Sequence, residues 1–389
     1  MWKRREKTDI EMGKKERKEC ILRNGGLLLQ KRISYFNGKY SNPMRSFSAK
    51  ELQKATDNYN HGNLIFTCLS RFKWYKGCLE GRVVFVKKYF DHSIATHSRG
   101  FLADPEMVTN EMSVAAQVSG HKNSLKLLGC CLETQIPTLV FEFPMNGNLG
   151  DQLRSNPTCL SWKSRLKIAN EIASVLTYLH TAFPRPIIHR DIYPGNFYLD
   201  QDLCAKLSDF TLCMALPEGK TQVQSLRISG TVGYLAPEVL RLCVYSEKSD
   251  VFGFGLLLFD LLTGKDYREL VVSKGSMDDL KEDYLMDCIQ SYIRNHGING
   301  IVDPTILAEG GGVPHHHQFQ AVFRLILKCR RMNAEERPIM LDVAKQLRRI
   351  QRYCNSSKSS SFTNLYCELH HDILNRGSAH HNIYSRASS

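Results

Sequence analysis

A chain of 389 residues with 42% hydrophobic and 23% charged residues suits a two-lobed globular domain with tails, not a fibrous or disordered protein. Thirteen cysteines, an odd number with no C-x-x-C pair, argue against a disulfide framework or zinc site and for reduced thiols in a cytosolic or nuclear setting. Much of the formal charge of +13 sits at the start, where residues 1–32 hold eleven Lys/Arg against five Asp/Glu; such a block is usually solvated, is able to touch the anionic inner face of a plasma membrane, and lacks the interleaved aromatics of a nucleic-acid surface.

Along the chain, Met1 to Lys7 leads into charge, so no secretory signal is read. The longest apolar stretch, Val251 to Leu262, is interrupted by Asp260 and is too short to span a bilayer. Residues 1–45 read as a basic leader punctuated by Gly and Asn. Ser48 with Glu51 three residues on forms a capping box. From about 60 to 144, β-rich runs at Val83–Tyr89, Leu125–Leu128 and Thr138–Phe143 surround one helix, opened by Asp104-Pro105 and closed by Ser119-Gly120. From about 145 to 352 the chain reads as mainly helical, and Leu166, Ala169, Ile172, Ala173, Leu176 and Leu179 mark one buried helix face. His315-His316-His317 beside Gly310-Gly311-Gly312 reads as a loop, not a metal site. Residues 353–389, rich in Ser, His and Asn, read as a disordered tail.

One set of residues carries chemistry. Val84-Phe85-Val86-Lys87 resembles the strand whose lysine grips nucleotide phosphates in protein kinases, and Glu111, two turns into the next helix, is placed to pair with it. His189-Arg190-Asp191-Ile192-Tyr193-Pro194-Gly195-Asn196 resembles the kinase catalytic loop, with Asp191 as the base and Asn196 as a magnesium ligand. Asp209, in Ser208-Asp209-Phe210-Thr211, stands at the second magnesium position, and Ala236-Pro237-Glu238 closes the activation segment. Phosphoryl transfer needs the nucleotide held still, its charge neutralised and the hydroxyl aimed in line, and these residue types in this order meet those needs. The resemblance implies an α+β, bilobal fold: a small β-rich N-lobe with one helix, a larger helical C-lobe, and ATP with Mg2+ as cofactors if nucleotide is bound at all. It also implies that Arg337 pairs with Glu238 and that Asp250 lies on the central buried helix of the C-lobe.

Several positions depart from that pattern. Thr67, Leu69 and Phe72 fall where three glycines let backbone N–H groups approach phosphates. Phe72 is expected over or in the phosphate site, and Phe85 replaces a small alanine in the roof of the adenine pocket. Thr211 replaces a glycine, so that turn is not expected to take positive φ easily. Tyr193 replaces a lysine beside the moving charge, a loss on the order of 10²–10³ in rate by analogy with removing one transition-state donor.

The span from about Ser46 to Arg352 resembles the plant receptor-like cytoplasmic kinases related to wall-associated kinases, and within them the ZED-related group of kinases and pseudokinases. Leu127-Leu128-Gly129-Cys130-Cys131-Leu132-Glu133 and His180-Thr181-Ala182-Phe183-Pro184-Arg185-Pro186 carry that resemblance, and Arg23 to Gln30 resembles a juxtamembrane segment. It implies a domain over residues 46–352 that serves as a kinase-fold adaptor in plant immunity. Its partners would be a coiled-coil NLR immune receptor and pathogen effectors or effector-modified kinases; nucleic acid is not expected. The alternative is a slow cytosolic serine/threonine kinase using Asp191 as base with Lys87, Asn196 and Asp209 holding Mg-ATP. Thr221, Ser225, Ser229 and Thr231 are candidate modification sites on the activation segment, with Arg190 placed to hold a phosphate there.

Overall fold

The computed structural model describes residues 13–39, 44–68, 71–90, 103–155, 160–268, 289–310 and 312–352; Leu69 and the tail over 353–389 lie outside the described residues. The N-lobe is built on a six-stranded sheet of order β1-β5-β6-β4-β3-β2. Its strands are β1 (Arg45–Ser46), β2 (Leu64–Cys68), β3 (Phe72–Leu79), β4 (Arg82–Tyr89), β5 (Leu127–Cys131) and β6 (Thr138–Glu142). β1 pairs parallel with β5, the other pairs are antiparallel. A Cβ on Gly129 would collide with the Arg45 carbonyl, so glycine is what admits β1 to the sheet.

Two helices pack on this sheet. Short α2 (Ala49–Ala55) begins at the Ser48–Glu51 capping box. In α3 (Pro105–Val118), Asp104 caps the start by accepting from the Met107 N–H at 2.7 Å. The leader contains a further helix that the sequence reading did not anticipate, α1 (Lys14–Phe36). Its buried residues Cys20, Asn24 and Leu28 fall four apart and form the stripe that meets α3. Asn24 donates to the carbonyls of Leu132 and Thr134 at 3.1 and 3.0 Å. At the other end, Phe36 meets Phe183 edge-on at 5.4 Å and Arg185 donates to the Ser34 carbonyl at 2.8 Å. Helix α1 thus ties the N-lobe to the C-lobe.

The C-lobe comprises α4 (Leu149–Ser155), α5 (Trp162–Thr181), α6 (Pro237–Leu242), α7 (Glu247–Thr263), α8 (Pro304–Ala308), α9 (Gly312–Cys329) and α10 (Met340–Arg352). The apolar run from Val251 lies in α7, which is buried along nearly its whole length with α5 and α9 against it. Apolar residues all round make it a core helix. Residues 315–317 are helical, in α9, and not the loop expected of them; the adjacent glycines end before that helix gathers Phe319, Val322 and Ile326 into the core. Three small antiparallel pairs carry the functional loops: β7 (Ile187–Ile188) with β10 (Met214–Ala215), β8 (Phe197–Leu199) with β9 (Ala205–Leu207), and β11 (Gln222–Gln224) with β12 (Val244–Ser246). The architecture is the mixed α+β, two-lobed one the motifs implied. Among the described residues, no helix is long and apolar enough to cross a membrane.

Candidate functional site

The pleat of β4 points Lys87 into the space between the lobes, where it is fully buried. Its ammonium lies 2.8 and 3.0 Å from the two oxygens of Glu111, on α3, and 3.2 Å from Asp209 Oδ1. An ammonium has three N–H donors, and these three oxygens account for all of them. Burial alone would lower the Lys87 pKa, but Asp209 and Glu111 outweigh it and raise it. Asp209 is pushed the other way: burial raises its pKa, while Lys87 and Arg71 pull it well below the usual carboxylate range. Burial dominates at Glu111, whose pKa is raised despite Lys87.

Two neighbours extend this cluster. The Tyr89 hydroxyl donates to Glu111, and the Thr211 hydroxyl lies 2.9 Å from Glu111 Oε2 and also contacts Asp209. The positive φ of this turn falls on Asp209 (φ 56°), not on Thr211. The conformational objection to Thr211 is therefore corrected: its backbone is ordinary and its side chain tethers two carboxylates.

Above Lys87, aromatic rings fill the N-lobe side. The ammonium sits 4.0 Å from the Phe72 ring centre, so Phe72 lies against the group that would meet phosphates. Arg71, just before β3, is half-buried; burial disfavours its charge, but Asp209, Cys68 and Asp191 outweigh that and raise its pKa. A second protein cation is thereby held among the acidic groups of the cleft. Thr67 pairs with Lys73 in the same hairpin. Phe85 is 1% exposed and stacks on Trp74 with ring centres 3.9 Å apart and planes 9° from parallel. From the C-lobe, Tyr198 on β8 meets both rings edge-on, at 5.3 Å from Phe85 and 6.1 Å from Trp74. The walls that sandwich a base in a kinase thus touch each other through side chains. Sequence reasoning named Phe85 but missed Trp74 and Tyr198. The signals were present: Trp74 lies two residues past the third glycine position, where the family motif has valine, and Tyr198 two past Asn196.

The catalytic-loop residues converge beneath. Asp191 Oδ1 accepts from the Thr231 N–H at 2.8 Å and its hydroxyl at 2.6 Å. Asn196 Nδ2 donates to Asp191 Oδ2 at 3.0 Å and to the Asp191 carbonyl at 2.8 Å. Burial raises the Asp191 pKa; the Thr231 bonds oppose it. Tyr193 is half-buried, its hydroxyl pushed up by desolvation and by Asp191, and its ring folds over Gly195, where a Cβ would collide with it. Gly195, overlooked in the sequence, gives the tyrosine room.

Beyond the cleft, two anchoring networks of the C-lobe frame are in place. Asp250 on α7 accepts from the backbone N–H of His189 and Arg190 at 2.8 and 2.9 Å and lies 2.9 Å from His180 Nε2. That clamp offsets the strain of Arg190 at φ 72°. Arg337 makes a bidentate pair with Glu238 at 2.7 and 2.8 Å and also donates to the carbonyls of Arg331, Lys248 and Met332. In the activation segment, the Tyr245 hydroxyl accepts from Ser229 N at 2.6 Å and donates to Ser229 O at 2.9 Å, while its ring lies 4.1 Å under the Arg190 guanidinium. Thr221 is exposed, Ser225, Ser229 and Thr231 are half-buried, and the Thr231 hydroxyl is committed to Asp191.

The sequence profile of the family described as protein tyrosine and serine/threonine kinase matches residues 66–296. The chain belongs to the protein kinase family. Its relatives place it in the ZED-related branch: it is 39% identical to the non-functional pseudokinase ZED1 of Arabidopsis thaliana over 87% of this chain and 98% of that one. It is 34% identical to the serine/threonine-protein kinase ZRK1 of the same plant, over 88% of this chain and 95% of that one. Wall-associated receptor kinase 2, also from Arabidopsis thaliana, is 34% identical over 85% of this chain and 43% of its own length. Relatives described as pseudokinases and relatives described as kinases therefore stand at similar distances from this kinase-family chain, and the kinase fold in general uses ATP and Mg2+.

Proposed function

We propose that this chain is a pseudokinase that serves as a binding module in plant innate immunity, joining a coiled-coil NLR receptor and presenting its kinase surface to effectors or effector-modified kinases. The observation that carries the non-catalytic part is the Trp74–Phe85 stack closed by Tyr198, which takes the place of a nucleotide base. Lys87, with its three donors spent on Glu111 and Asp209, and Phe72 against it, leave phosphates little to bind. Asp209, where Mg2+ would bind, is already committed to Lys87 and to the Thr211 hydroxyl. ATP and Mg2+ therefore do not fit the residues present. The adaptor role rests on the likeness to ZED1 and its branch.

The second reading, a slow serine/threonine kinase, is favoured by one observation: Lys87, Glu111, Asp191, Asn196 and Asp209 all face one cleft. Thermal denaturation with Mg-ATP separates the two. A ligand at 100 times its dissociation constant adds about 2.7 kcal/mol of stability; no shift is expected here at millimolar Mg-ATP. A clear shift, together with autophosphorylation abolished by Asp191→Asn, would overturn the proposal. Co-expression with coiled-coil NLR receptors tests the adaptor role, which predicts a stable complex that survives Asp191→Asn.

A further inference from the structure

We propose that a basic groove at the far end of the C-lobe, between the end of α9 and α10, is a docking site for an acidic peptide segment of a protein partner. The groove is an open concavity of about 590 Å3, remote in sequence from the kinase motifs except for Arg337 at its edge. Lys328, Arg331, Lys345 and Arg349 line it against two carboxylates, Glu336 and Asp342. Arg331 pairs with Glu336 at 3.2 Å and Lys345 with Asp342 at 3.4 Å. Among the described residues, no carboxylate lies within ion-pair distance of Lys328 or Arg349. Arg337 cannot serve a ligand, because Glu238 and three carbonyls occupy it.

Each helix dipole rewards a cation in its own last turn, which accounts for Lys328 on α9 and Arg349 on α10 separately. It does not account for their meeting in one concavity, or for Lys345 and Arg349 standing four residues apart on α10, a like-charge spacing that weakens a helix. An anion in the groove turns that repulsion into attraction. The shape and sign pattern favour a peptide over a membrane: a continuous anionic sheet does not enter a concavity and is repelled by Glu336 and Asp342. A chain with spaced Asp and Glu side chains reaches Lys328 and Arg349 and avoids both. The guanidinium of Arg349 offers a carboxylate two parallel N–H bonds.

The test uses the full-length chain and a dye-labelled peptide rich in Glu and Asp, followed by fluorescence anisotropy at about 10 mM and about 150 mM salt. Saturable binding at low salt is expected, weakened at the higher salt. Arg349→Glu and Lys328→Glu are each expected to weaken it about tenfold, while Lys163→Glu, an exposed charge reversal on α5, leaves it unchanged. Thermal melts of all three variants check that they fold. Equal peptide affinity in Arg349→Glu and Lys163→Glu overturns the proposal. So does a chain that ignores the peptide but is retained on phosphatidylserine vesicles in an Arg349-dependent way, which assigns the groove to lipid.

Discussion

The nucleotide cleft and the C-lobe frame face each other across the catalytic loop, and they have been treated in opposite ways. In the frame, the anchoring contacts are in place: Glu238 with Arg337, Asp250 with the backbone of His189 and Arg190. In the cleft, the charged residues remain, but Trp74, Phe72, Phe85 and Tyr198 pack against one another between the lobes. The difference separates two jobs that active kinases perform with the same residues. Lys87 here bonds to both Glu111 and Asp209, and that buried cluster joins the N-lobe to the C-lobe without any ligand.

The largest expected effect lies in the frame. Arg337→Ala removes a bidentate partner of Glu238 and strands three carbonyls, and should lower stability by about 3–5 kcal/mol, read from the denaturant midpoint. A loss under about 1 kcal/mol would show that the frame is decorative.

Lys87→Met asks whether the cleft cluster matters equally to folding. That change leaves Glu111 and Asp209 facing each other in a buried site, at a cost of about 2–3 kcal/mol near neutral pH. The cost has a definite pH dependence. In the native chain, Asp209 has a depressed pKa, so its contribution is present above its unfolded value of 3.8 and fades only as pH falls below it. Lys87 has a raised pKa, so its contribution is complete below its unfolded value of 10.5. Between these limits the native cation–Asp209 contribution is flat. Glu111 is raised by burial already in the native chain, so both proteins lose some stability as pH rises through it. Without the cation both carboxylates titrate above their unfolded values, the folded state binds still more protons, and stability falls more steeply. The gap between native and variant midpoints should therefore widen from about pH 5 to about pH 8. A constant gap would mean that the variant cluster lets in water.

Spacing made the frame and the charged cluster legible, because a lysine on a strand, a glutamate two turns into a helix and an aspartate after a strand must fall in that order for the fold to bring them together. The filling of the cleft was only half legible. Phe72 and Phe85 occupy positions with a known requirement for small residues, whereas Trp74 and Tyr198 look like ordinary strand aromatics until the two lobes are brought together. Arg71 gave no signal at all: its effect on Asp209 is a matter of charge brought near in space, which spacing along the chain does not show. Helix α1 was hidden for a different reason. Its stripe against α3 has only three buried positions, one of them a polar Asn24, amid charges and two glycines that speak for a flexible tail. The Thr211 turn misled because the left-handed residue is Asp209, two positions earlier.

The smallest expected effect concerns the join between the two regions, the activation segment. Kinases commonly fix this segment with a phosphate held by the arginine beside the catalytic aspartate. Here the Tyr245 ring covers Arg190 and its hydroxyl binds both backbone groups of Ser229. Gly230, at φ 123°, passes so close to the Arg190 carbonyl that a Cβ would lie 2.6 Å from it, which keeps the segment against the loop. Tyr245→Phe removes the hydroxyl and keeps the ring, so it should cost about 1–2 kcal/mol. Amide hydrogen exchange should accelerate at Ser229 and Thr231, whose N–H groups bond to Tyr245 and Asp191. If exchange stays slow there, the pairing of β11 with β12 and the Thr231–Asp191 bonds suffice to hold the segment. The activation segment would then belong energetically to the frame, with Asp191 retained as an anchor for Thr231.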